Sequence, residues 1–156
     1  MTGNPLEFDP TSGILIVCGA RVQVGDGRPR IDDREWRLVE MERGYSRKEC
    51  REGTWSAWVW CRDGVPDAIS ISVSQPGDEH GWDGWSLERE HARKRANDEA
   101  TIAAFGAVEK TFEWGTVQSR YDARTGGASI TVAFRRESLW KRFTARLRST
   151  VFRRRS

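Results

Sequence analysis

The segment TWSAWVWCRDGVPDAISISVS, residues 54–74, constrains the fold of this chain most strongly. Ile69, Ile71 and Val73 alternate strictly with serines, which is typical of a strand that buries one face and leaves the other in contact with solvent or a polar partner. Residues 57–61 are apolar on both faces, which favours a central strand. The intervening DGVPD is a turn signal. The segment therefore predicts two successive strands of a sheet.

Other parts of the chain carry strand patterns as well. The β-branched run over residues 14–24 is followed by Asp-Gly and Pro, and it predicts one strand. A second strand is predicted over residues 35–42, whereas residues 44–54 break the pattern. Residues 114–122 and 128–135, joined by ARTGG, predict a hairpin.

One long helix is predicted over residues 87–105. Ser86 is a favourable N-cap, Glu88 and Glu90 lie where the helix dipole favours anions, and Gly106 is a stop signal. The first half of the helix is charged nearly all round, while its end, TIAAF, is apolar. We therefore expect the carboxyl end to enter the core and the first half to project into water.

The order β-β-β-β-α-β-β predicts an α+β fold with a mainly antiparallel sheet of about six strands and one main helix packed on it. A chain of 156 residues is long enough to bury one core, so we predict a single globular domain over residues 1–136. Residues 137–156 are predicted to form a basic amphipathic helix after that domain.

Charge is divided unevenly along the chain. Residues 135–156 contain nine Lys or Arg and one acid, Glu137, and therefore carry a formal charge of +8. Because the whole chain carries +3, the remainder carries −5. An acidic body followed by a basic tail indicates two surfaces with opposite electrostatic preferences.

The tail has three interpretations. On a helix, its apolar side chains fall within an arc of about 120°, opposite the basic ones. The helix can dock on the acidic body, which we favour, lie on an anionic membrane surface, or bind nucleic acid through charge and stacking. The residues predicted to make these contacts are Trp140, Lys141, Arg142, Phe143, Arg146 and Arg148.

The start of the chain and its cysteines indicate a location. No Lys or Arg precedes the apolar run GILIVCGA, which is too short to span a bilayer, so no secretory signal is expected. Cys18, Cys50 and Cys61 are odd in number and lack C-x-x-C spacing, which predicts unpaired thiols, with Cys18 and Cys61 as small core residues. We expect a cytoplasmic protein, peripheral at the membrane if the tail binds lipid.

Catalytic patterns are not found in the sequence. Glu88 and His91 are spaced i, i+3, as in half of a di-metal motif, but the second half is missing, and His80 has no recognisable partner. No G-x-S-x-G elbow or phosphate-binding loop occurs. We expect no catalytic residues, metal or cofactor. A hydrolase using paired carboxylates, or a metal-dependent enzyme, is a less favoured alternative.

The loop before the helix is the best candidate for a binding site. Residues 75–85 contain three glycines, a proline and two tryptophans, and tryptophan is enriched among interface anchors. Trp58 and Trp60 are expected to be mainly core residues. We predict a non-enzymatic module of the inhibitor, immunity or adaptor type that contacts a protein partner through loop 75–86 and the adjacent helix. The predicted partner-binding residues are Trp82, Trp85, Asp78, Glu79 and Asp83.

Overall fold

A computed structural model describes residues 3–25 and 28–136 of this chain. Among these residues the strands form two antiparallel sheets. The first four strands of the chain form one sheet in sequence order. The other seven form the second sheet, in which the last three strands of the chain lie beside the eighth in reverse sequence order. The predicted α+β class, with mostly antiparallel sheet and one main helix, is confirmed. The predicted tail helix, residues 137–156, lies outside the described residues.

The small sheet consists of β1 (Leu6–Asp9), β2 (Ile14–Val17), β3 (Ala20–Gln23) and β4 (Arg30–Ile31). The large sheet consists of β5 (Arg37–Glu42), β6 (Tyr45–Glu52), β7 (Trp55–Arg62), β8 (Val65–Val73), β9 (Glu109–Phe112), β10 (Gly115–Asp122) and β11 (Gly127–Phe134). A 3-10 segment, Asp78–Gly84, and the helix α1 (Leu87–Phe105) connect β8 to β9.

One hydrophobic core joins both sheets and the helix. On the large sheet, Val59, Ile69 and Ile130 point to the inner face and are fully buried. Leu15 and Val22 of the small sheet belong to the same cluster. Helix α1 packs on β8, β10 and β11 and touches β1. The serine-bearing face of the large sheet therefore faces away from this core.

The main helix and its caps agree with the prediction. The backbone N–H of Arg89 donates to Ser86 Oγ at 3.2 Å, which satisfies one free donor of the first turn. Gly106 ends the helix with a φ of 80°, and its N–H donates to the carbonyl of Ile102 at 2.7 Å. Polar caps and a left-handed glycine thus fix both ends of α1.

The prediction of one strand over residues 14–24 is wrong. This segment forms β2, a two-residue turn at Cys18 and Gly19, and β3. The turn residues have φ values of 47° and 76°, and a positive φ at both central positions is the requirement of a type I′ hairpin turn. The β-branched residues on both sides concealed the turn.

The prediction that residues 44–54 break the strand pattern is also wrong, because Tyr45–Glu52 forms β6 between β5 and β7. This strand is polar since much of it faces solvent, and it pairs with β7 along its whole length. The short strands β1, β4 and β9 were not predicted either. The two sheets therefore contain more strands than the expected six.

Helix and tryptophan placements differ from expectation as well. The first half of α1 does not simply project into water, because Glu90 is only 4% exposed. Trp60 is 39% exposed and Trp58 is half-buried, so neither is a core residue. Trp36 and Trp55 take the buried positions instead. The strand β7 is central, but only its inner face is covered by the core.

The three cysteines are buried and unpaired, in agreement with the sequence. Cys61 lies on the inner face of β7, whereas Cys18 lies in the β2–β3 turn rather than in a strand. In the part of the chain that the structure describes, no helix is long and apolar enough to cross a membrane.

Candidate protein-contacting site

A cleft of about 390 Å³ lies where loop 75–86, the start of α1 and the β10–β11 turn meet the large sheet. Three tryptophans contribute to its walls, Trp58 from β7 and Trp82 and Trp85 from the loop. Ser72 of β8 and Ser74, which directly follows that strand, also line it. The elements that carry these residues are distant in sequence, and side-chain hydrogen bonds hold them together.

Arg93 links the loop to the helix and the sheet. Its guanidinium donates to both carboxylate oxygens of Asp78 at 2.7 Å each, and its Nε donates to the carbonyl of Val73 at 2.9 Å. It also pairs with Glu90 one turn earlier on α1. Bidentate Arg–carboxylate geometry fixes orientation as well as distance. Asp78 therefore fastens the beginning of the loop.

Glu90 is a buried carboxylate whose two oxygens both have partners. One pairs with Arg93, and the other accepts the backbone N–H of Ala128 in β11 at 2.9 Å. The side chains of Glu90 and Arg93 are 5% and 12% exposed. A buried charge is tolerated when it is paired and hydrogen-bonded in this way. The pair joins α1 to the sheet immediately below the loop.

Trp85 fastens the end of the loop. Its Nε1 donates to the carbonyl of Gly126 in the β10–β11 turn at 2.8 Å. A Cβ added at Gly126 would lie 3.3 Å from that nitrogen, so the ring packs tightly against the turn. Arg89 donates to the carbonyl of Gly84, within the same loop. The indole of Trp85 is thus held in one place although it is half-exposed.

Trp82 differs from Trp85 because its ring is 80% exposed. It lies in the 3-10 segment together with the exposed side chains of Glu79, His80 and Asp83. His80 Nε2 lies 3.4 Å from Glu79 Oε1. The result is an exposed aromatic ring with acidic neighbours, on a loop that is fastened at both ends.

The five predicted partner-binding residues lie on one loop but have two kinds of surroundings. Trp82, Glu79 and Asp83 are exposed to solvent, whereas Asp78 and Trp85 are engaged in the contacts that hold the loop. Three residues that hold the loop, Arg89, Glu90 and Arg93, were not predicted from the sequence. The only available signal was the i, i+3 spacing of Glu90 and Arg93 on the helix.

The two histidines considered as catalytic or metal-binding residues have separate surroundings. The ring of His91 packs edge-on against Tyr121, with the ring centroids 6.1 Å apart, and His80 has Glu79 as its neighbour. Within residues 3–25 and 28–136, no group of three or more His, Cys, Asp or Glu side chains is placed to hold a metal ion.

Comparison of the chain with protein-family models, curated proteins and solved structures finds no match. Support for a function therefore comes from the residues of the cleft and its loop.

Proposed function

We propose that this chain is a non-enzymatic, cytoplasmic protein-binding module of the inhibitor, immunity or adaptor type. It contacts its protein partner through loop 75–86 and the adjacent part of α1, and it uses no cofactor. The observation that carries the proposal is the Trp82 ring, which is 80% exposed on a loop fastened by Asp78 and Trp85.

The loop is ordered before a partner binds, and this lowers the entropic cost of binding. Burying a large aromatic ring against a partner removes apolar area from water and is worth about 3 kcal/mol. A mobile loop would lose much of that gain through the entropy of ordering. Here the contacts of Asp78 with Arg93 and of Trp85 with Gly126 order the loop before the partner arrives. Trp82 is therefore suited to act as a binding hot spot.

Charge indicates the kind of partner surface. Glu79 and Asp83 are exposed on the same 3-10 segment as Trp82, so this segment is acidic around an aromatic side chain. A complementary partner presents a basic rim around an apolar or cationic pocket that receives the indole ring. Such a partner is expected to bind faster at low salt, because exposed charges steer association.

Affinity capture tests the proposal. The tagged full chain is used to capture proteins from a nuclease-treated native lysate, alongside the variants Trp82→Ala and Trp60→Ala. Trp60 is the matched control because it is also partly exposed but lies outside the cleft lining. We expect Trp82→Ala to lose a specific protein that the wild type and Trp60→Ala retain, with unchanged thermal unfolding midpoints. Equal retention by all three chains would remove the loop from the proposal.

The basic tail, residues 137–156, is the basis of a second proposed function. Residues 137–156 lie outside the described residues, but their basic, aromatic sequence would bring the body to an anionic membrane or a nucleic acid. The full chain and a chain ending at Arg136 are compared in liposome flotation and in DNA and RNA retention at low and moderate salt. Equal behaviour of the two chains would exclude the tail as a targeting element.

A further inference from the structure

A second cleft, of about 920 Å³, lies between the two sheets and shares no lining residue with the first. Its walls come from the β2–β3 turn, residues 33–38 and β6. Two of the free thiols, Cys18 and Cys50, both line this cleft. Cys18 belongs to the hairpin of the small sheet, and Cys50 belongs to the large sheet.

The two thiols are direct neighbours. Cys50 Sγ donates a hydrogen bond to the carbonyl of Val17, the residue before Cys18, at 3.4 Å. The Cys18 side chain is also the main cause of the raised pKa of the Cys50 thiol, which places the two side chains next to each other. Cys18 is 4% exposed and Cys50 is 9% exposed, so the cleft is the route by which a small reagent reaches them. Cys61, at 1% exposure, does not line it.

Cys18 also has an unusual backbone conformation. Its φ of 47° lies in the left-handed region, at the first central position of the β2–β3 turn. Asn, Asp and Gly are the residues that this position favours, because they adopt positive φ most readily. Turn geometry therefore gives no reason for a cysteine here, whereas contact with Cys50 does.

We propose that Cys18 and Cys50 are a dithiol site that closes to a disulfide between the two sheets when the chain meets a low-molecular-weight disulfide. This site is separate from the loop proposed to bind a partner, and it does not depend on that proposal. Closure covalently ties the β2–β3 hairpin to β6.

The reaction is thiol–disulfide exchange, and it balances in two steps. The Cys18 thiolate attacks one sulfur of the small disulfide, whose S–S bond breaks and releases one small thiolate. The Cys50 sulfur then attacks the Cys18 sulfur of the mixed disulfide and releases the second small thiolate. The two protons of the protein thiols end on the two released thiolates. The protein dithiol is oxidised, and the small disulfide is reduced.

The environment distinguishes the two sulfurs. The hydrogen bond with Cys18 and burial both raise the pKa of the Cys50 thiol, and the nearby carboxylates of Glu52 and Glu35 act in the same direction. The Cys50 thiol also donates its proton to the Val17 carbonyl, so Cys50 is less ready than an ordinary thiol to act as the first nucleophile. We assign Cys18 the attacking role and Cys50 the resolving role.

A peptide map of the full chain tests the site without any substitution. The chain is incubated with hydroxyethyl disulfide, remaining thiols are blocked with N-ethylmaleimide in urea so that buried ones react, and the protein is digested with trypsin under non-reducing conditions. Cleavage after Arg21, Lys48, Arg51 and Arg62 places the three cysteines in peptides 1–21, 49–51 and 52–62. We expect peptide 1–21 linked to 49–51, and Cys61 in peptide 52–62 carrying the blocking group.

Any other map overturns the proposal. Peptides 1–21 and 49–51 that carry separate hydroxyethyl or maleimide groups would show that the thiols do not close, and a link to peptide 52–62 would show rearrangement. Two variants check the pairing independently, since Cys18→Ser should abolish the cross-link and Cys61→Ala should keep it. A closed chain should also unfold on the order of 5 to 15 °C higher, and a reducing agent should reverse this shift.

Discussion

The indole Nε1 of Trp85 donates a 2.8 Å hydrogen bond to the carbonyl oxygen of Gly126, 41 residues further along the chain. This bond fastens the end of loop 75–86 to the β10–β11 turn. At the beginning of the loop, Asp78 accepts two bonds of 2.7 Å from Arg93. Between these two attachments Trp82 is 80% exposed. The loop therefore combines a fixed backbone with an accessible ring, which is the arrangement that a preorganised contact requires.

Replacing Trp85 by Phe tests the attachment at the end of the loop. Phe keeps an aromatic ring but removes the indole donor. We therefore expect the free energy of unfolding to fall by about 1 kcal/mol and the loop to become less ordered. Hydrogen exchange measured by mass spectrometry should become faster over residues 75–86 while the sheets keep their protection. Trp60→Phe serves as the control, because Trp60 does not line the cleft. Unchanged exchange in the loop would contradict the role of this bond.

Replacing Arg93 by Met should destabilise the whole domain. The substitution leaves the Glu90 carboxylate, which is 5% exposed, without its cation. An unpaired buried charge of this kind should lower the free energy of unfolding by about 3 kcal/mol. Urea unfolding measures the change. Adding Glu90→Gln should recover part of the loss, because a neutral amide still accepts the N–H of Ala128.

Lys94→Met is the matched control for Arg93→Met. Lys94 pairs with Asp98 at i, i+4 on the same helix, with both side chains more than a quarter exposed. Such an exposed pair contributes about 0.5 kcal/mol to the free energy of unfolding, so we expect only a small effect. Equal effects of the two substitutions would show that the Glu90–Arg93 pair has no special role.

The sequence predicted the elements whose signals are local. Ser86 and Gly106 mark the ends of α1 through their own capping contacts, and strict alternation marks β8. The β2–β3 hairpin was missed because its turn contains Cys18, a residue that is uncommon at positive φ. The strand β6 was missed because its polar residues are explained only by its position between β5 and β7.

The candidate site was predictable only in part. A Gly-rich loop with two tryptophans pointed to a surface contact, and its location beside the helix follows directly from chain order. The residues that hold the loop could not be predicted from the sequence. Arg93 contacts Asp78 and Trp85 contacts Gly126, and each pair is too far apart in sequence for a local pattern to indicate the contact. The contact between Cys18 and Cys50 is of the same kind.

Stability should decrease at alkaline pH because of the buried thiols. Burial raises the pKa of the Cys61 thiol, and contact with Cys18 together with burial raises that of Cys50. Above the ordinary thiol pKa of about 8.5, the unfolded chain loses protons that the folded chain retains, so the free energy of unfolding falls as pH rises. Urea midpoints from pH 7 to 10 measure this, and Cys61→Ala should flatten the slope. An unchanged slope would exclude Cys61 as a source.

Replacing Gly126 by Ala should weaken partner binding without touching Trp82. Gly126 has a φ of +66°, a conformation that costs an L-residue roughly 1–2 kcal/mol. The added Cβ would also lie 3.3 Å from Trp85 Nε1, which pushes the indole away from its acceptor. Because the loop is attached through this ring, we expect slower association and faster dissociation of the captured partner in biolayer interferometry.

Gly106→Ala separates this effect from general destabilisation. Gly106 has a φ of +80° and ends α1, and a Cβ there would meet nothing within 4 Å. Both variants therefore pay a similar backbone penalty, but only Gly126→Ala displaces Trp85. If both lower the unfolding midpoint alike while only Gly126→Ala loses affinity, the position of the loop determines binding. Equal losses of affinity would mean that binding follows overall stability instead.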